Sequence, residues 1–229
     1  PAFPEYHVDG TVYPLVDTTA GAFAFTILTN AVVVGLAYPL ALAALNLASG
    51  TTSPWMFVGR KLDWRKLPGA HGRLLETPAG RTRNGLDVDA LRMYLRWRGI
   101  DLATLRERAD ELRDPATLPE EPNPPTDGAV REEEAIRTDG GAVGGPEHDA
   151  APADYDDPWG AQAFLDDLDG GAYGTDAAKL RGGLDVVAEK EELWISPGIP
   201  FIVPVFLGLI VAIGYGDLLF GLLAALGLV

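Results

Sequence analysis

Residues 191–217 read EELWISPGIPFIVPVFLGLIVAIGYGD. An acidic turn meets Trp194, then Ser196-Pro197. An uncharged apolar run follows that carries Pro200 and Pro204 and stops at Gly216-Asp217. An apolar stretch of about twenty residues is what a bilayer-spanning helix needs, because no water is present there to bond a bare backbone. A Trp at the entrance suits the membrane interface. The chain therefore reads as a membrane protein or a piece of one.

A second apolar run, residues 20–48, lies near the amino end. At about 1.5 Å per residue it reaches roughly 43 Å, against a hydrocarbon core of about 30 Å, so it must tilt or let its ends emerge. Asn30 falls inside it and needs a partner there, most simply a neighbouring helix. Pro39 predicts a kink or close support from a neighbour. The expected fold class is all-α: two transmembrane helices flanking a cytoplasmic, partly disordered helical domain. The sequence starts at Pro1 with no charged n-region ahead of a cleavable apolar stretch, so it reads as a fragment or a processed product.

Charge sets the orientation. All 18 Lys and Arg lie between Arg60 and Lys190, in a chain of net charge −15. Basic residues beside membrane helices stay in the cytoplasm. Arg60, Lys61, Arg65 and Lys66 therefore predict residues 49–196 inside the cell membrane, both termini outside, and a multi-pass topology. Residues 60–113 hold 13 bases and 8 acids, while residues 114–192 hold 5 and 21. That acidic excess reads as an interaction arm, as a solvating disordered segment, or as the hydrated surface of a protein from a high-salt cytoplasm. Few Lys, abundant Asp, Ala and Gly, and 0 Cys fit the last of these. Without Cys there is no disulfide and no thiolate zinc site. The negative charge also excludes nucleic acid as a partner.

The expected organisation is as follows. Residues 1–19 form an extracytoplasmic lead in which Asp17 offers a helix cap. The first span is 20–48. Residues 49–114 hold a juxtamembrane loop and amphipathic helices. Asp87 or Asp89 caps one helix through Arg98, with Leu91, Tyr94, Leu95 and Arg98 at helical spacing and Gly99 as its stop. Asp101 caps a second, through about Leu112. Residues 115–154 are Pro, Gly, Ala and acid, too poor in large apolar groups to offset ordering entropy, and read as an acidic disordered linker. Residues 155–196 hold short cytoplasmic helices, entered at Asp157-Pro158 and again at Thr175 or Asp176. The second span is 197–217. Residues 218–229 form an apolar tail too short to cross again.

Glu192-Leu193-Trp194-Ile195-Ser196-Pro197, Ile199-Pro200, Ile202-Val203-Pro204 and the closing Gly216-Asp217 resemble the C-terminal region of the archaeal preflagellin and prepilin peptidases. These are membrane aspartic proteases of the type IV prepilin peptidase class. Phe25-Thr26-Ile27-Leu28-Thr29-Asn30 and the run through Pro39 resemble the penultimate helix of the same family. The resemblance covers the two spans and their order. It implies a parent enzyme that cleaves the leader peptide from a pilin-like precursor with two aspartates and no metal or other cofactor. It implies as partners the bilayer, the missing N-terminal transmembrane helices of the same protein, and prepilin or preflagellin substrates. The family's aspartates lie in upstream contexts, one of them a Gly-x-Gly-Asp followed by Lys. The resemblance thus implies that this chain lacks the catalytic pair.

One stretch does spell Gly-x-Gly-Asp: Gly214-Tyr215-Gly216-Asp217, followed by Leu218 and not Lys. Asp17 is its one partner on the expected outer side, and two carboxylates sharing a proton make an aspartic dyad. Against that stand two plain roles: Asp17 caps a helix, and Asp217 marks a span's exit. His7, His71 and His148 are scattered in loops and do not form a metal set. Asp166, Asp167 and Asp169 lack the final Glu of a calcium loop. Leu91, Leu95 and Trp97 read as core or as a partner surface. Arg92, Arg96, Arg98, Arg106 and Arg108 read as a basic face for headgroups or as a salt-bridged surface. The rival to the peptidase reading is a non-enzymatic two-span membrane protein, a scaffold or assembly factor with an acidic cytoplasmic domain.

Overall fold

Strands as well as helices build this chain, so the fold is mixed α/β and not all-α. The computed structural model describes residues 5–15, 23–131, 155–168 and 170–228. In chain order the elements are β1 (Tyr6–Val8), β2 (Thr11–Tyr13), α1 (Phe23–Ala48), β3 (Arg60–Asp63), β4 (Arg73–Leu74), β5 (Glu76–Thr77), β6 (Gly80–Arg81), α2 (Val88–Arg98), α3 (Leu102–Glu107), α4 (Ala109–Leu112), α5 (Ala161–Asp166), α6 (Ala177–Glu189), β7 (Glu192–Ser196), α7 (Ile202–Gly214) and α8 (Leu218–Ala225). They fall into two units, one of Pro1–Val58 with Ile199–Val229 and one of Gly59–Gly198.

The first unit is turned inside out. Along α1 the outward side chains are Phe25, Leu28, Val32, Leu36, Leu40 and Leu45, all exposed. Thr26, Asn30 and Asn46 are buried with Ala31, Leu42 and Ala43. Water would select the opposite arrangement, whereas lipid tolerates an apolar outside and requires polar groups to find partners within. Helix α7 packs on α1 by close backbone approach. A Cβ at Gly208 would stand 2.6 Å from the Ile27 carbonyl oxygen and 2.7 Å from the Ala31 nitrogen, so only glycine fits. Small residues let helices associate where burial in lipid gives no hydrophobic drive. Ahead of α1, β1 and β2 form a hairpin whose turn is Asp9-Gly10, both at positive φ, the pair favoured where hairpin twist must match strand twist. Tyr6 and Tyr13 stack across it at 5.5 Å between ring centroids.

The second unit closes on a three-stranded antiparallel sheet of order β3-β7-β4. Arg60 pairs with Ile195 and Asp63 with Glu192, while Arg73 pairs with Ser196. The chain thus enters and leaves this unit on neighbouring strands. Helices α2 and α6 supply about half of the core, with Leu91, Tyr94, Leu95, Trp97, Leu180, Leu184 and Val187 buried beside Phe164 and Leu193. Asp87 caps α2 by accepting from the Asp89 amide at 2.9 Å, and Gly99, in the left-handed region, stops it. Asp101 caps α3 through the Thr104 amide at 2.8 Å. That helical stretch then breaks at Arg108 before α4. Residues 118–131 run beside α2: Asn123 donates to the Arg96 carbonyl at 2.9 Å, and Gly128 accepts from Arg92. Residues Pro115–Thr117 form a 3-10 turn, and residues 132–154 of the expected linker lie outside the described residues.

Two sequence expectations fail here. The second span does not form: α7 has 13 residues, about 20 Å at helical rise, short of the hydrocarbon core of about 30 Å. Among the described residues one helix, α1 with 26 residues, is long and apolar enough to cross. Nor is Trp194 an exposed side chain free to sit in a membrane interface. It is 2% exposed, sits on the central strand, and carries the Arg81 guanidinium 5.0 Å from its ring centroid. The run Leu193-Trp194-Ile195 has the aromatic and β-branched character of a strand, and it merges in sequence with the apolar helix beyond it.

Tyr94 ties α2 to the 3-10 turn Pro158–Gly160, donating to the Trp159 carbonyl at 2.6 Å and accepting from Arg98 at 2.6 Å. Burial pushes its phenol up to about 12, although Arg98 pulls the other way. The unfolded chain, with an ordinary phenol of pKa 10.0, loses this proton first. Stability from this group is therefore complete below about pH 10 and disappears as pH rises through about 12. Tyr94→Phe is expected to cost about 1–2 kcal/mol near neutral pH through the lost bonds. It should also flatten the decline between about pH 10 and 12, as read by urea unfolding with tryptophan fluorescence in detergent. Parallel pH curves for the two proteins would refute the assignment.

Candidate functional site

The chemistry of the first unit gathers where α7 ends. The amides of Tyr215 and Gly216 both return to the Val211 carbonyl, at 2.8 and 2.9 Å. Gly216 sits at φ +105, which side-chain-bearing residues rarely adopt. The chain then turns and α8 starts, capped by Asp217 Oδ1, which accepts from the Phe220 amide at 3.1 Å. The Tyr215 ring folds back over Gly221, where a Cβ would stand 2.3 Å from its hydroxyl oxygen.

Such a break leaves polar backbone groups without a helical partner. Asn30 reaches across from α1 to hold them. Its Nδ2 donates to the Gly216 carbonyl at 2.8 Å and lies 3.5 Å from that of Gly208, while its Oδ1 accepts from the Leu218 amide at 2.8 Å. The partners fix the amide's direction, because a flipped Asn would set donor against donor. Asn30 is 0% and Asp217 1% exposed. Tyr6 takes another carbonyl from this end of α7, donating to that of Ile213 at 3.0 Å. The neighbouring helix expected for Asn30 is α7. What the sequence did not disclose is that one amide serves both sides of the Gly-x-Gly-Asp turn, although two glycines before a capping Asp do signal a break that needs outside bonds.

Of the two aspartates weighed as a dyad, the structure places Asp217 in this node, where it caps α8. Asp17 lies outside the described residues. The other described carboxylates of this unit, Glu5 and Asp9, are exposed in the hairpin segment.

In the second unit the expected basic face is largely internal. Arg92, Arg98 and Arg106 are buried. Arg92 donates to the carbonyls of Gly128 at 2.7 Å and Ala70 at 2.6 Å and pairs with Asp89. Arg98 donates to Thr117 at 2.6 Å besides Tyr94. Arg106 takes the Val187 and Lys190 carbonyls at the end of α6, at 2.5 and 2.7 Å, pairs with Glu191, and lies over Trp64 at 4.6 Å. Burial lowers its pKa. These guanidiniums stitch loops to helices and are not offered to headgroups. Leu91, Leu95 and Trp97 are core and not a partner surface. Asp167 accepts from the Trp97 indole at 2.7 Å, Asp166 from Gln162 at 2.8 Å, and Asp169 lies outside the described residues. Among the described residues no group of metal-binding side chains assembles. A cleft of about 470 Å³ is lined by Pro68, Leu95, Arg96, Ile100, Leu102 and Arg108, among others. Arg96 and Arg108 are already paired there with Asp127 and Glu111.

Residues 172–218 match the family model described as Archaeal Peptidase A24 C-terminus Type II. No curated protein and no solved structure matches the chain. The matched segment runs from the approach to α6 through β7 and α7 to the first residue of α8. It supports a C-terminal region of an archaeal prepilin/preflagellin peptidase, and it contains Trp194, Pro200, Pro204 and Asp217 of the motif read from the sequence. That family is a membrane-associated protease family. Gly208, Gly216 and Leu218, whose backbone groups Asn30 holds, lie inside the match.

Asn30→Leu removes the amide and leaves the Gly216 carbonyl and Leu218 amide without it. Orphaned buried groups cost about 1–3 kcal/mol each, although single bonds between membrane helices often measure nearer 0.6 kcal/mol. Two groups at one buried break favour the upper range, so a loss of about 2 kcal/mol is expected in detergent unfolding. Asn30→Asp keeps an acceptor for Leu218 and should lose less than Asn30→Leu. Equal stability of wild type and Asn30→Leu would show that the break stands by itself.

Proposed function

We propose that this chain is the C-terminal part of a membrane aspartic endopeptidase that removes leader peptides from archaeal preflagellins or prepilins, and that the catalytic aspartate pair is supplied by other helices of the same protein. The observation that carries this reading is the family match at residues 172–218. The inside-out first unit supports it, because a helix that shows Leu and Phe outward and hides Asn30 suits lipid and neighbouring helices. In this reading α1 is one span of a multi-pass parent. The bases Arg60, Lys61, Arg65 and Lys66, close behind α1 in sequence, hold residues 49–196 in the cytoplasm and leave the amino end outside. The chain walls the active site without furnishing its chemistry, and Asp217 serves as a helix cap. The acidic surface suits a cytoplasm of high salt, where bound water and ions keep such a protein soluble.

The test is cleavage of a preflagellin in proteoliposomes. The full-length parent is expected to cleave it and this chain alone to leave it intact. Asp217→Asn in the parent should retain activity within about tenfold, because a cap contributes only about 1 kcal/mol. Cleavage by the chain alone, abolished by Asp217→Asn, would overturn the proposal.

A further inference from the structure

The turn from α2 into α3 leaves a cleft with an apolar floor. Gly99, in the left-handed region, reverses the chain, and the Gly99 and Ile100 amides return to the Arg96 and Leu95 carbonyls, each at 3.0 Å. A helix stop of this kind folds the residue after the glycine back onto the last turn. Ile100 and Leu95 therefore line one space, together with Pro68 and Leu102. Pro68, Leu95 and Leu102 are buried, and Ile100 is partly so. The cleft holds about 470 Å³, within the range of roughly 300–1,000 Å³ usual for small-ligand sites.

Its polar groups come chiefly from α3. Thr104 and Arg108 lie one turn apart on the same side of that helix, since the Arg108 amide donates to the Thr104 carbonyl at 3.0 Å. Asp101 also lines the cleft, but it is engaged as the α3 cap through the Thr104 amide at 2.8 Å. Glu111 takes two nitrogens of Arg108, Nε at 2.9 Å and Nη2 at 2.5 Å. Among the described residues, Nη1 of Arg108 and the Thr104 hydroxyl make no bond. With Arg92 and Arg96, three guanidiniums and one carboxylate border the cleft, in a chain of net charge −15. Two unspent donors a turn apart match the two oxygens of a carboxylate, and the guanidinium makes its bond charge-assisted. A phosphate, with more oxygens and more charge, would find too few donors left.

We propose that this cleft is a binding site for a small apolar carboxylate, with the body of the ligand on Pro68, Leu95, Ile100 and Leu102 and its oxygens on Arg108 Nη1 and the Thr104 hydroxyl. The site belongs wholly to the second unit and does not depend on α1 crossing a membrane or on the peptidase reading.

The probe is hydrocinnamate, a phenyl ring on a short chain ending in a carboxylate, carrying a trifluoromethyl group for fluorine NMR. It is titrated against the chain in neutral detergent near neutral pH. Wild type is expected to broaden the signal saturably, and the matching amide, equal in shape and uncharged, should bind about tenfold more weakly. Arg108→Gln should weaken the carboxylate about tenfold and hold the amide within about twofold, which also shows that the cleft is still folded. Thr104→Val should weaken the carboxylate about threefold, whereas Thr104→Ser, which keeps the hydroxyl, should not. Lys61→Gln, which removes a base paired with Glu192 outside the cleft, should change nothing. Equal binding of carboxylate and amide would overturn the site. So would carboxylate binding that survives Arg108→Gln combined with Thr104→Val, or no saturable binding by wild type.

Discussion

One side-chain amide organises the first unit. A helix that ends among apolar groups exposes carbonyls and amides that only protein can satisfy. Asn30 satisfies both sides of the α7–α8 break at once. That role demands that α1 and α7 lie close, and Gly208 against the backbone of Ile27 and Ala31 makes this possible. The outward Leu, Val and Phe of α1 are the complement of the same arrangement: with the polar groups committed inward, the outside is left apolar.

The second unit obeys the rules of water. Its ends are joined by the β3–β7 pairing, so the chain enters and leaves the unit on paired strands. Guanidiniums sit among the loops and helix ends and donate to backbone carbonyls, as Arg92 and Arg106 do. Burying a guanidinium is costly, and it persists because its several donors are met by carbonyl and carboxylate oxygens. At the start of α6 the Lys179 amide holds the Asp176 carboxyl below its usual value, the sign of a charged cap in use.

The sequence was most legible where a signal is local. Asp87 and Gly99 mark the ends of α2 through cap chemistry alone, and Asp101 and Asp176 mark their helices likewise. Asn30 could be read as needing a helix beside it. Legibility failed where meaning depends on distant partners. Leu193 to Ile195 looked like the start of a span because an apolar strand and an apolar helix run together in sequence, with only the uncharged residues 197–201 between. The Asp9-Gly10 hairpin signal stood in a segment too short to show alternation. Arg92, Arg98 and Arg106 looked like a surface because charge is visible in a sequence and burial is not. The length of α7 was overestimated for a similar reason: hydropathy continues through Gly214 and Tyr215, while the backbone turns at Gly216.

These features fit a C-terminal region of an archaeal peptidase of the A24 family, with one helix long and apolar enough to cross a bilayer and an acidic α/β unit joined to it in sequence. The claim on which the rest depends is that the outer face of α1 meets lipid. The chain has 0 Cys, so single cysteines at Val32, Leu36 and Leu40 can carry spin labels without background. In reconstituted bilayers, labels at these positions should collide readily with dissolved oxygen and poorly with a water-soluble nickel chelate, and a label at Arg83 should do the reverse. Ready access of the nickel chelate to all three positions on α1 would place that face in water and contradict the account.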